Sequence, residues 1–339
     1  MKFKNNDICG MKKQIAVVMG GTTSEHTISI KSGQVVLDNI PDSIFDAKPV
    51  VISAQEWTVN HMGNLIALNQ SDFSYQYEGK KYIFDAVFIA VHGAPGENGV
   101  LQKVLDKAKV PYTGCSAAVS EITYNKHKTL EKLRPHGIAM AKNIIIDSNS
   151  NWNSKTLATS IGLPCFVKAN KAGSSFGVVK VNKLEEISAA ISTALAEDDE
   201  VLIESYLSGI EVSIGVIEYK GEVRVLAPTE IITHGDFFDY AAKYEGNSKE
   251  ITPARLTSFQ LQNLNTAARK VFNLLGVKGI SRSDFIFMGD TPYFLELNSI
   301  PGLTAQSLLP MQAQQSGIAL GDLIVDMINS CLKNNTFEE

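Results

Sequence analysis

Arg282-x-Asp284 and Glu296-x-Asn298 are the residues of this chain best suited to chemistry. Side chains of a strand repeat every two residues, so within each pair both groups project from one face. On neighbouring strands they would bring three oxygen-bearing groups and one guanidinium together. Carboxylate and amide oxygens are the hard ligands that magnesium takes, with water and phosphate oxygens completing its shell. Holding such groups over an apolar sheet is costly unless a cation neutralises them. Tyr293, Leu295 and Leu297 would then face the other way, towards a core. The same four residues also suit a solvated strand face with a salt bridge from Arg282 to a carboxylate, and their types alone leave both readings open.

Lys168 ends an apolar run and is soon followed by the Gly/Ser-rich stretch 172–177. Such a loop lets backbone N–H groups wrap phosphate oxygens, with Lys168 as a point charge. The segment reads equally as a plain hairpin turn. It is neither a P-loop nor a G-x-G-x-x-G fingerprint, and neither pattern occurs in the chain. A second apolar run, 201–203, ends in Glu204 and leads into Ser205, Tyr206 and Leu207. That connector can offer backbone hydrogen bonds to an adenine edge, with Glu211 in reach of ribose hydroxyls. An interdomain strand with solvated carboxylates is the alternative. Glu25 follows Gly20-Gly21-Thr22-Thr23-Ser24 at a helix start, where a carboxylate either favours the helix dipole or holds a substrate ammonium.

These groups need strands and helices to hold them. The run 14–19 (QIAVVM) reads as a strand entering a Gly-Gly turn, with a helix near 25–39 and Ser24 as its N-cap. A strand at 85–91 and a helix at 99–109 follow, which suggests a small parallel sheet. Residues 117–137 read as helical, 164–168 and 177–181 as a hairpin, 183–196 as a helix and 200–203 as a strand. Strands at 211–219 and 222–232 precede an irregular stretch, 234–247. A helix at 257–275 carries the apolar stripe Leu261, Leu264, Ala268, Val271, Phe272 and Leu275. Strands at 278–288 and 292–298, a long loop with Pro301-Gly302, and a helix at 322–332 complete the chain.

The bulk properties narrow the class. The 339 residues are 44% hydrophobic and 20% charged, enough for roughly two to three domains. A formal charge of -5 gives no basic field for nucleic acid. No run of about 18 apolar residues suggests a membrane span, and residues 1–13 lack the apolar run of a signal peptide. Cys9, Cys115, Cys165 and Cys331 form no C-x-x-C pair and read as free thiols of a reducing compartment. The cytoplasm is the expected location.

Seven segments then occur in one order: GGTTSEHTIS at 20–29, HGAPGENG at 92–99, FVKANKAGSSFG at 166–177, VLIESYLSGIE at 201–211, FFDYAAKY at 237–244, SRSDF at 281–285 and FLELNSIPGLTAQSLLP at 294–310. By these the chain resembles the D-alanine–D-alanine ligase family over nearly its whole length. The resemblance implies a three-domain ATP-grasp fold of α/β and α+β type. Its parts would be an extension at 1–12, an N-terminal α/β substrate domain at 13–113, a central domain at 114–207 and a C-terminal domain at 208–339. ATP would lie between the last two.

The residue roles follow from the same resemblance. Lys126, Lys168 and Lys243 would meet ATP phosphates, Glu204, Ser205, Tyr206 and Leu207 the adenine, and Glu211 the ribose. Asp284, Glu296 and Asn298 would hold two Mg2+ ions, for which Mn2+ can substitute. Glu25 would take the ammonium of the first D-alanine, supported by Ser174 and Tyr244, with His92 near the substrates. Gly302, Ser307 and Leu308 would define the second site, and Arg282 would bridge phosphate and oxyanion. Residues 234–247 would form a lid, in which tyrosine at 244 accompanies dipeptide rather than depsipeptide formation. The implied activity is ATP-dependent joining of two D-alanines for peptidoglycan precursors, through an acyl phosphate, in a homodimer with no nucleic-acid or membrane partner. Ala172, Ser281, Ser283 and Asn98 depart from the family's usual residues without removing a proposed ligand. A non-catalytic regulator on this fold would have lost one of Arg282, Asp284, Glu296 or Asn298. A NAD-dependent dehydrogenase would need the missing glycine fingerprint.

Overall fold

The computed structural model describes residues 12–173, 177–233 and 248–333. Cys9, Ser174, Lys243, Tyr244 and the whole 234–247 stretch lie outside the described residues.

The first sheet runs, edge to edge, Asn64–Ala67, Trp57–His61, Phe45–Ile52, Lys13–Gly20, Ala86–Ile89. Lys13–Gly20 is parallel to both neighbours and is buried from Ile15 onward, which is why it reads as an unbroken apolar run. Phe45–Ile52 was harder to foresee, because Lys48 and Pro49 interrupt its apolar residues. Helix His26–Asn39 packs close to the sheet through Gly33, where a Cβ would come within 2.6 Å of Met19. Its N-cap is Glu25, not Ser24, and no side chain caps it. The Gly20-Gly21 turn that precedes it holds φ of +92° and +108°, open to glycine at little cost.

The second sheet is antiparallel, in the order Val179–Val181, Cys165–Ala169, Glu200–Ser205, Asn143–Asp147. Helices Ser154–Ile161 and Ile187–Leu195 cover one face, over a core of Val167, Val201, Ile203 and Ile191. The alternate residues Phe166, Lys168 and Glu204 turn to the other face, with Phe166 and Glu204 directly paired.

The expected helix over 117–137 is two helices, Ala117–Tyr124 and Lys126–Leu133, followed by a 3-10 turn. Asn125 breaks it: extended at φ -92°, ψ 104°, it ends the first helix and caps the second by accepting from Lys128 N–H. The break sets Lys126 at the first turn of a helix.

The third sheet runs Ser248–Ile251, Thr229–Thr233, Ile210–Tyr219, Ile280–Met288, Thr291–Asn298, with Glu222–Val225 also paired to Ile210–Tyr219. The strand expected over 222–232 is thus split, and Pro228, which has no N–H to give a ladder, sits in the gap. Helix Ser258–Leu275 backs this sheet, opened by a Thr257–Gln260 capping box. Leu264, Ala268, Val271, Phe272 and Leu275 are buried as expected, but Leu261, in the first turn, is 37% exposed. Leu308–Gln315, read in sequence as loop, is helical, with Pro310 tolerated in its first turn. Among the described residues no helix is long and apolar enough to cross a membrane. Cys115, Cys165 and Cys331 are unbridged.

Candidate active site

Ile280–Met288 and Thr291–Asn298 are antiparallel neighbours, with Asp284 opposite Glu296 and Arg282 opposite Asn298. All four therefore share one face, and all four line a deep cleft. The register shifts beside Asp284, so Leu295 is an extra residue in its strand. This corrects the expected alternation. Phe294 is the buried residue, paired edge-on with Phe285, while Leu295 lines the cleft and only Leu297 of the three apolar residues reaches the core.

Arg282 grips Asp284 bidentately, Nε to Oδ1 at 3.1 Å and Nη2 to Oδ2 at 2.9 Å. The salt bridge considered as an alternative is thus present. Ser213 Oγ also donates to Asp284 Oδ1, at 2.6 Å. A carboxylate oxygen offers two lone pairs, so Oδ2 keeps one direction for another partner. Two carboxylates and an amide oxygen converging on one cleft are a donor set that fits a hard divalent cation.

The opposite wall comes from the second sheet. Lys168 and Glu204 form a tight ion pair with side chains only 12% and 7% exposed. Burial pushes the Lys168 pKa down, but the Glu204 and Glu296 carboxylates outweigh it and hold the ammonium above the ordinary lysine value. Lys126 reaches in from its helix start, 3.8 Å from Glu296 Oε2, and donates to the Ala172 carbonyl at 2.7 Å. Glu204, Ser205, Leu207 and Glu211 line the cleft with Phe166, Val178, Ile286 and Ala141. The last four were not singled out in the sequence, although Phe166 shares the Lys168 face at a spacing of two. They supply apolar walls for a flat ring. Tyr206 is not in the wall among the described residues; its ring lies 6.0 Å from Phe166, with Lys180 Nζ 5.0 Å from its centroid.

The loops that follow strands Lys13–Gly20 and Ala86–Ile89 contribute Glu25 and Glu97. A Cβ on Gly173 would meet Glu25 Oε2 at 2.5 Å, so the glycine lets this carboxylate and the 166–173 segment approach. Four residues expected at the substrates, His92, Gly302, Ser307 and Leu308, are not in the cleft wall among the described residues. His92 is buried, with Nδ1 2.8 Å from the Ile300 carbonyl and Nε2 2.9 Å from Ser32 Oγ. A carbonyl only accepts, so Nδ1 carries the proton and Nε2 accepts from Ser32. Burial lowers the pKa of His92, and the neutral ring ties helix His26–Asn39 to the 300–303 loop. On that loop Gly302 abuts Ser307, whose Oγ lies 2.9 Å from Thr304 Oγ1, and Leu308 packs with Ile231 and Met311. Gly302, Ser307 and Leu308 form a separate cluster, not part of the cleft wall among the described residues.

Glu97 was overlooked in the sequence as one more acid in a loop. Its Oε2 accepts from Gly93 N–H at 3.0 Å, while Oε1 is shut off from solvent and has no hydrogen-bond partner among the described residues. Burial, then the neighbouring Glu25 carboxylate, pushes its pKa up to about 8. An unfolded glutamate titrates near ~4.3, so the folded protein must keep this proton or bear a cost that grows as pH rises through the interval. Glu97→Gln is therefore expected to raise stability by several kcal/mol at pH 9 and hardly at all at pH 4. Urea midpoints at the two pH values measure this, and an equal change at both would refute it.

The cleft is lined by cations, carboxylates and apolar walls. Such a room suits a nucleotide with small polar substrates. The family profile described as D-ala D-ala ligase N-terminus matches residues 14–115, and that described as D-ala D-ala ligase C-terminus matches 133–329. A D-alanine--D-alanine ligase of Christiangramia forsetii is 45% identical over 323 residues, 95% of this chain and 99% of the relative. Among solved structures, the VanG D-Ala:D-Ser ligase from Enterococcus faecalis superposes with a TM-score of 0.84 at 29% identity, covering 94% of this chain and 99% of that one. The D-alanine--D-alanine ligase from Bacillus anthracis complexed with ATP gives 0.79 at 26%, over 97% and 100%. With family profiles and a full-length relative agreeing over the segments that build this cleft, the chain belongs to the D-alanine–D-alanine ligase family, in its ATP-grasp fold.

Proposed function

We propose that the protein joins two D-alanine molecules to D-alanyl-D-alanine, converting ATP to ADP and phosphate, for peptidoglycan precursors. One observation carries the reading. Lys126, Lys168, Arg282, the Asp284/Glu296/Asn298 oxygens and Glu25 line a single cleft. Cations and oxygen donors for a polyphosphate and a carboxylate for an ammonium thus share one space.

On this reading Glu25 orients the first D-alanine by its ammonium. The substrate carboxylate attacks the γ-phosphorus of ATP, the bond to ADP breaks, and an acyl phosphate results. The amine of the second D-alanine attacks its carbonyl, and phosphate leaves with the bonding electrons. Both steps gather negative charge on oxygens. Arg282 is braced by Asp284 and so aimed in advance, which is how a fixed cation lowers such a barrier. Asp284, Glu296 and Asn298 would hold divalent metal, which we assign as Mg2+ with Mn2+ as a substitute, and whose charge neutralises phosphate oxygens. The connector from Glu204 to Leu207 would hold adenine, Glu211 the ribose, and Lys126 and Lys168 the phosphates. We extend the reading to Lys243 at the phosphates, to Ser174 and Tyr244 beside Glu25, and to Gly302, Ser307 and Leu308 at the second substrate. A cytoplasmic homodimer completes it.

Phosphate release from Mg-ATP, with products identified by mass, tests the proposal. D-alanine alone should yield D-alanyl-D-alanine, and L-alanine nothing. Because a structural neighbour is a D-Ala:D-Ser ligase, D-serine is included as competing acceptor. A mixed product made in preference to D-alanyl-D-alanine would reassign the second substrate, and no phosphate release from folded protein would discard the reading.

A further inference from the structure

Asp198, Asp199 and Glu200 place carboxylate oxygens within 4.8 Å of one another at the start of strand Glu200–Ser205. Like charges so close need a cation, and the chain provides its own. Lys171 Nζ lies 3.2 Å from Asp198, 3.0 Å from Asp199 and 3.1 Å from Glu200. Its backbone N–H also donates to Asp198 Oδ2 at 2.8 Å. Main chain and side chain of one residue are thus held by the same acidic cluster.

The neighbours of Lys171 extend this clasp into the cleft. Asn170 is fully buried; its amide donates to Glu200 Oε2 at 2.9 Å and its Oδ1 accepts from His127 N–H at 2.8 Å. The Asn170 carbonyl accepts from Lys126 N–H at 3.2 Å, and the Ala172 carbonyl from Lys126 Nζ at 2.7 Å. Three residues in a row therefore join the acidic cluster to the helix start that carries Lys126. Lys168 stands two residues before Asn170, on the strand leading into the same clasp.

We propose that Lys171 is a positioning residue for nucleotide phosphate binding, which its three-carboxylate clasp serves by fixing 170–172 and through them the Lys126 ammonium. This rests on the reading above that Lys126 and Lys168 meet ATP phosphates. Lys171 itself touches no substrate. Its effect is on the phosphate end of the nucleotide and not on the apolar adenine end, because Phe166 and Glu204 are paired at the opposite end of strands Cys165–Ala169 and Glu200–Ser205 from the clasp.

The test measures binding of ATP, ADP and adenosine to the full chain by calorimetry, for wild type, Lys171→Met, Lys171→Arg and Asp199→Asn. Displacement of a binding cation is expected to weaken ATP and ADP about tenfold in Lys171→Met, with adenosine unchanged within about twofold. Lys171→Arg should restore most of the ATP affinity. Asp199 is 75% exposed, so Asp199→Asn leaves the fold intact and should weaken ATP about twofold to threefold even if Lys171→Met fails to fold. Wild-type ATP affinity in Lys171→Met and Asp199→Asn overturns the inference, as does an equal loss of adenosine. A wild type that binds no ATP overturns the functional reading instead, and the inference with it.

Discussion

Glu296→Gln is expected to lower turnover by two to three orders of magnitude, while the protein folds as before. Glu296 stands opposite Asp284 across two paired strands, where its carboxylate faces the Lys126 ammonium at 3.8 Å. Glutamine keeps the shape and one oxygen but removes the negative charge. Charge stabilisation by a bound divalent cation is worth several kcal/mol, and each ~1.4 kcal/mol off a barrier is tenfold in rate, so losing one anionic donor should cost about 10²–10³ in kcat. The fold should barely notice. The Glu296 side chain is 34% exposed and its distance to Lys126 is 3.8 Å, a contact of the kind that contributes about 1 kcal/mol or less. Phosphate release and a thermal melt on the same sample separate the effects. Activity within about fivefold of wild type would remove Glu296 from the set of metal donors.

The pairs that flank this site were legible in the sequence because a strand's period of two is strict. Arg282-x-Asp284 and Glu296-x-Asn298 had to share a face once their strands were neighbours, and they do. The apolar side of the same strand was not legible. One inserted residue, Leu295, reverses the alternation, and a bulge carries no residue type that marks it. The helix break at Asn125 was hidden for a related reason. Asparagine suits a helix cap, but a cap inside a charged helical run shows only when both flanking turns are seen. Strand Phe45–Ile52 escaped notice because Lys48 finds its own partners, Asp46 at 2.7 Å and Gln14 at 3.0 Å, so a lysine could be buried where sequence suggests surface. Glu97 and the Lys171 clasp depend on residues far apart in the chain, and no local pattern announces them. The contacts by which His92 and Ser32 fix the 300–303 backbone to the first helix likewise join residues far apart in the chain.

Lys168→Met should destabilise the protein by about 3–5 kcal/mol, the range found when one partner of a buried ion pair is removed. The pair with Glu204 is buried on both sides, and the methionine leaves Glu204 charged among Phe166 and other apolar neighbours. The same number could arise from lost packing, so the informative variant is the double one. Lys168→Met with Glu204→Gln removes the stranded charge and should recover most of the loss. A coupling of about 2 kcal/mol or more between the two changes is expected, because contacting residues are not additive. Activity should behave differently from stability: the double variant regains the fold but still lacks the Lys168 cation, and ATP binding should stay weak. Additive stabilities in denaturant would mean that Lys168 contributes by packing alone, and recovered ATP binding in the double variant would exclude Lys168 from the phosphate site.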